Sequence, residues 1–280
     1  METRPRALPS GWYPDSASAV GREIETFGDY IKRFKADLPE VRGGVVPHAG
    51  WYFSGRLAAL IFHLAAQRDK PDVVTVFGGH LGSGPGLIYT DQAWETPLGP
   101  IEIDQELTQG LRDRLRLKAE GPYTGDNTVE IQLTLIKHYF PGCRLLALRA
   151  PHSAPAVEIG RTAAALAREQ GKSALFFGST DLTHYGPNYG FSPAGSGAKA
   201  LAWVKEKNDR EFIELALALD LSGLLDHAGR NHSACSAGAV AAAAAACQTS
   251  GAERGVLVDY YTSHDVMPGD SFVGYSGILY

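Results

Sequence analysis

A chain of 280 residues with 44% hydrophobic content can bury a full core, and α/β folds of this size often form one unit, so a single domain spanning residues 1–280 is expected. The net charge of −5, with signs interspersed and no basic run or stripe, speaks against nucleic acid as the main partner. The opening "METRPRALPSGWYPDS" carries no apolar signal region, and no stretch reaches the unbroken apolar length that crosses a bilayer; a cytoplasmic protein with no membrane partner is expected.

In chain order, 41–46 reads as a strand, 56–67 as a helix with apolar residues at helical spacing, and "DVVTVF" (72–77) as a continuous apolar strand of the buried, parallel kind. "GLIYTDQAW" (86–94) reads as a further strand, 104–115 as a helix, and 128–140 as a helix opened by an Asn/Thr cap and closed before Pro141-Gly142. The alternation resumes with a strand at "CRLLALRA" (143–150), an Ala-rich helix over 156–170 and a strand at "SALFFGS" (173–179). Residues 195–219 look helical. So do 236–248, whose run of alanines calls for close packing. The chain closes on strand-like "GVLVDYYTS" and "SFVGYSGILY". Cys143, Cys235 and Cys247 form no C-x-x-C pair, so neither a disulfide framework nor a zinc ribbon is suggested.

Three histidines fall just past carboxyl ends of strands: His48 in "VVPHAGWYFSG", His80 in "GGHLGSGPG" and His184 in "FFGSTDLTHYG". In open α/β sheets ligands bind at that edge, because the loops converge there while helices cover the rest. His63 and His138 lie inside helices, and His152, His227 and His264 have no comparable context. His232 stands three residues before Cys235.

Asp181 and His184 are spaced so that a curled chain brings them together, and a carboxylate beside an imidazole fixes its tautomer and raises its basicity. The alternative is a turn in which Asp181 binds backbone N–H groups. Cys235, near the start of the alanine-rich helix, stands where the macrodipole favours a thiolate; the alternative is an inert buried thiol. Two imidazoles and a thiolate from separate elements make a three-ligand site with open positions, as catalytic metals require.

"SGWYP", "VPHAGWYFSG", the His80 segment, "TPLGPIEID", "NTVEIQL", "GSTDLTHYG", the Cys235 segment and "YSGILY" occur in the order of the Memo family, and the sequence resembles that family over nearly its whole length. In bacteria and archaea, members of this length are called AmmeMemoRadiSam system protein B, a name that implies partners of AMMECR type and of the radical S-adenosylmethionine class. The resemblance implies a fold like that of class III extradiol dioxygenases: α/β, with a central mixed sheet flanked by helices and a metal at one edge. It places the metal ligands on His48, His80 and Cys235, and a pocket-lining acid and base on Asp181 and His184. The sequence departs from the family pattern at Gly78-Gly79 before His80, at Gly125-Asp126-Asn127-Thr128 before Glu130, where a pocket histidine is missing, and at Ser236 after Cys235.

The expected activity is redox chemistry of dioxygenase type on a small aromatic or modified peptide, with Fe(II) ahead of copper and zinc, since a thiolate in place of a carboxylate is a softer, more donating ligand. Alternatives are a metal-binding adaptor without turnover and a metal-dependent hydrolase with His184 as base. No G-x-S-x-G, H-E-x-x-H or G-x-x-x-x-G-K-[ST] is present, so serine hydrolase, zincin and P-loop assignments lack their residues.

Overall fold

A strand run that is apolar must be covered on both faces, and the runs at 73–78, 145–148 and 175–179 are buried throughout. In the computed structural model, which describes residues 2–34, 40–67, 70–122 and 124–280, the elements run β1 (Thr3–Arg4), α1 (Ala17–Ile31), β2 (Gly43–Val46), α2 (Arg56–Ala66), β3 (Val73–Gly78), β4 (Leu87–Ile88), β5 (Ala93–Trp94), β6 (Ile101–Glu102), α3 (Gln105–Arg114), β7 (Lys118–Ala119), α4 (Asn127–Tyr139) and β8 (Arg144–Arg149). They continue with α5 (Pro155–Glu169), β9 (Ala174–Ser179), β10 (His184–Tyr185), α6 (Gly197–Trp203), α7 (Asp209–Leu217), α8 (Leu221–Asn231), α9 (Ala237–Thr249), β11 (Val256–Thr262), α10 (Ser263–Val266) and β12 (Phe272–Leu279).

The main sheet is mixed, in the order β10-β12-β2-β9-β3-β8-β4-β7, with β11 also paired to β12. Its centre, β2-β9-β3-β8, is parallel, and β12 and β4 flank it antiparallel. Alternation along the strands feeds two cores. Val73 and Phe77 of β3, Leu146 and Leu148 of β8 and Phe176 of β9 pack with residues of α3, α5, α7, α8 and α9. Val74 and Val76, Leu145 and Ala147, and Leu175 and Phe177 pack on the other side with residues of α1, α2 and α4. The fold is therefore α/β, a large mixed sheet flanked by helices. No described helix is long and apolar enough to cross a membrane.

Two helices, α1 and α8, have no counterpart in the sequence reading, and three expected elements differ in detail. The strand expected over 86–94 is broken: β4 joins the main sheet, while β5 joins β1 and β6 in a small second one. At the break the Asp91 carboxylate accepts from the Arg4 guanidinium and Gln92 Oε1 accepts from the Glu2 amide. The helix expected over 195–219 starts at Gly197 and is interrupted by a π-helical segment, Val204–Asn208. The cap of α4 is Asp126, whose carboxylate accepts from the Thr128 amide at 3.0 Å, rather than Asn127 or Thr128.

A candidate metal centre at the sheet edge

Parallel strands β2, β9 and β3 lie side by side, so the loops at their carboxyl ends converge. Pro47-His48 leaves β2, Thr180 to His184 leaves β9, and Gly79-His80 leaves β3. Cys235 arrives from the other direction, just before α9. An isolated bridge between Leu182 and Ala234, a hydrogen bond from the Cys235 amide to Asp181 O (3.1 Å) and one from the Ser236 amide to Thr180 Oγ1 (3.1 Å) sew its loop to the β9 loop.

His48, His80 and Cys235 thereby present ligand atoms that all lie within 4.8 Å of one another. Cys235 Sγ is 3.1 Å from His48 Nε2, and the two imidazoles meet edge to face with centroids 5.0 Å apart. Each ring is held through Nδ1: His48 by Ser179 Oγ at 3.2 Å, and His80 by Asp126 Oδ2 at 3.2 Å. That arrangement leaves both Nε2 atoms for an ion, the usual design of imidazole ligands. His48 is buried. Its carbonyl accepts from Asn127 Nδ2 at 2.8 Å.

Burial works against the His80 imidazolium, but the Asp126 carboxylate and the Cys235 sulfur outweigh it and raise the ring to about 9. Burial likewise opposes the Asp126 anion, yet His80, Thr128 and Arg149 hold its carboxyl below the usual range. A cation arriving at the three donors would therefore displace a proton from His80.

Asp181 and His184 share the edge but not a hydrogen bond. Asp181 Oδ1 accepts from the His48 amide at 2.7 Å, and His184 Nδ1 is 3.1 Å from Leu182 O. The curl expected to join them is absent because Thr183 is drawn inward, its amide donating to Asp209 at 3.0 Å, and His184 enters β10. Burial lowers the His184 pKa; Asp181 pulls the other way as a nearby charge. A carbonyl only accepts, so Nδ1 carries the proton and the neutral ring exposes a bare Nε2.

A cleft of about 390 Å³ opens on this group, walled by Trp12, Phe53, Tyr189 and Tyr275 beside His48, His80, Asp181 and His184. A larger cavity, about 1070 Å³, lies between α5 and α8 and includes none of the three candidate ligands. His184 and Cys235 also line a neighbouring chamber with His152 and His232. His232 stands outside the triad, with its ring against Phe191 at 5.2 Å. The sequence reading gave no role to Ser179, Asp126 or Arg149; the signal for Asp126 is its place as a helix cap in "GDNT", 46 residues beyond His80 in the chain but adjacent in space.

The sequence model of the Memo family, described as "Memo-like protein", matches residues 4–279. A MEMO1 family protein of Methanosarcina acetivorans is 31% identical over 290 residues, covering 100% of this chain and 99% of the relative. The MEMO1 family protein MK0963 of Methanopyrus kandleri is 33% identical over 297 residues, covering 100% and 99%. Among solved structures, an uncharacterized Escherichia coli K12 protein, JW3007, superposes with a TM-score of 0.54 at 16% identity, covering 80% of this chain and 92% of that one, a likeness of fold.

Proposed function

The chain belongs to the Memo family, and from that premise we propose that it is a metal-dependent redox protein in which His48, His80 and Cys235 hold a first-row transition metal, iron ahead of copper or zinc, for chemistry on a small aromatic or modified peptide. One observation carries the reading: three donors of metal-ligating type lie within 4.8 Å of one another, with both imidazoles anchored at Nδ1. The donor set fits such an ion, since two imidazoles with one thiolate leave coordination positions open. When bound, the metal would supply Lewis acidity and, as iron or copper, electron transfer.

The remaining roles belong to the chain's own side chains. His184, with Nδ1 committed to Leu182 O, would take a proton at Nε2 from a substrate hydroxyl in the cleft. The Asp181 charge favours the imidazolium that results, while its hydrogen bond to the His48 amide fixes the main chain carrying one ligand. Trp12, Phe53 and Tyr275 supply flat apolar walls that suit a planar substrate and exclude water.

Anaerobic purification with elemental analysis, followed by O₂-uptake measurements over a panel of diols and peptides, tests the reading. The parent is expected to carry about one metal per chain and to lose most of it in His48→Ala, His80→Ala and Cys235→Ala, whereas His232→Ala retains it. Cys235→Ala holding metal as tightly as the parent would refute the ligand set. Tight metal binding with no O₂ uptake would replace the enzyme by a binding or adaptor role.

A further inference from the structure

We propose that Arg149 is a positioning residue for the metal centre: its guanidinium holds His80 and the Asp126 carboxylate in the one arrangement that turns the imidazole toward Cys235. The proposal rests on the metal reading of His48, His80 and Cys235. It concerns a side chain that supplies no ligand.

His80 has φ +55, a left-handed conformation that non-glycine residues rarely adopt. Such a residue persists only where its surroundings over-determine it. Two groups grip the loop. On one side the Ser236 hydroxyl meets the His80 amide at 3.3 Å, and Ser236 packs so closely on Gly79 that a Cβ there would lie 2.3 Å from its Cβ. On the other side stands Arg149, the last residue of β8 and buried.

Its donors divide among groups that surround His80. Nε donates to Gly79 O at 2.9 Å, and Nη2 donates to His80 O at 3.4 Å, so the fork spans both carbonyls of the strained turn. Nη2 also lies 3.2 Å from Asp126 Oδ2, the same oxygen that meets His80 Nδ1. Nη1 donates to Glu120 Oε2 at 3.0 Å, and Glu120 is itself buried. One planar cation thus fixes the backbone of a candidate ligand and the carboxylate that orients its ring.

A buried ion pair that merely held the fold could be placed anywhere and is often replaceable by apolar residues. Among the described residues, the polar contacts of the guanidinium go to the His80 turn, to the acid bonded to His80, or to Glu120, which holds the guanidinium itself. Lysine keeps the charge but lacks the flat fork, so it cannot span two carbonyls and two carboxylates together. Geometry and charge are therefore separable.

The test compares the metal-free parent with Arg149→Lys and Asp126→Asn, each titrated with Co(II) against a competing chelator while the thiolate-to-cobalt charge-transfer band and the ligand-field bands are recorded. Arg149→Lys is expected to weaken Co(II) binding 10- to 100-fold, the range for residues that orient a ligand. The charge-transfer band should persist, reporting Cys235 still bound, while the ligand-field bands shift as His80 is loosened. Asp126→Asn should reproduce the shift if the effect passes through the His80 ring. Affinity and spectrum in Arg149→Lys equal to the parent would overturn the proposal. So would joint loss of the charge-transfer and ligand-field bands together with a lowered melting temperature of the metal-free protein, which would make Arg149 a general support of the fold. A parent that binds no Co(II) would remove the metal reading itself, an outcome distinct from either.

Discussion

At the scale of single residues, the sheet edge assigns different work to histidines of similar sequence context. His48 and His80 have Nδ1 held by Ser179 and Asp126, whereas His184 has Nδ1 at the Leu182 carbonyl and a lowered pKa from burial. On the proposed function the first two are ligands and the third is a base, whose lowered pKa keeps the ring neutral until it takes the substrate's proton. His184→Ala is accordingly expected to retain the metal content of the parent and to lose turnover roughly 10²- to 10⁴-fold. Elemental analysis beside an activity assay checks both halves, and loss of metal in this variant would make His184 a ligand. The family pattern for Asp181 and His184 was legible in "STDLTH", but their hydrogen-bond partners were not. Which group a carboxylate meets depends on the neighbouring strand, and here the His48 amide reaches Asp181 first.

At the scale of elements, α9 shows how a run of small residues sets a packing distance. It presents alanines to α5, and Gly160 of α5 sits so close that a Cβ there would lie 1.9 Å from Ala242 O. Because α9 follows Cys235 directly, its depth against α5 and the sheet sets how far that sulfur stands from the β2 and β3 loops. Gly160→Ala should destabilise the protein by about 1–3 kcal/mol, since overpacking against backbone outweighs the helix-propensity gain. Gly28→Ala in α1, where nothing lies within 4 Å of the new Cβ, should instead stabilise by roughly 0.5–1 kcal/mol. Urea denaturation of the two variants gives both signs. The alanine run announced close packing from sequence alone. The π-helical segment at Val204–Asn208 had no such signal; it places Asn208 and Asp209 against Thr183, a tertiary demand on an otherwise regular helical pattern.

At the scale of the whole molecule, Asp209 couples stability to pH. Its carboxyl is fully buried, and burial raises it to about 7 although Thr183 and Tyr260 donate to it. For an acid whose folded pKa lies above its unfolded value, the folded state keeps the proton longer. Below about pH 4 both states are protonated and the group is neutral to stability. As pH rises toward about 7 the unfolded chain ionises while the folded one does not, so stability falls, and above that the full penalty is present. The parent should lose up to roughly 4 kcal/mol between pH 4 and pH 7.5 from this source, at about 1.4 kcal/mol per pH unit. Asp209→Asn keeps an acceptor for Thr183 and cannot ionise, so its urea midpoint should change less over the same range. A variant with the parent's slope would remove Asp209 as the cause.

The sequence by itself determined the fold class and the sheet edge at which the candidate ligands gather. Strands apolar at every position can only be central strands covered on both sides, and residues that follow such strands must emerge at one rim. It also brought His48, His80 and Cys235 to notice, through residue type and through motifs like those of the Memo family. The tertiary structure alone decided the partners of those residues. Strand order placed β9 between β2 and β3, so that one rim holds all three loops, and nothing local in a strand specifies its neighbour. Asp126 and Arg149 come to His80 from α4 and β8, 46 and 69 residues further along the chain. Contacts between segments so far apart are set by packing of the whole core, which no window of sequence contains.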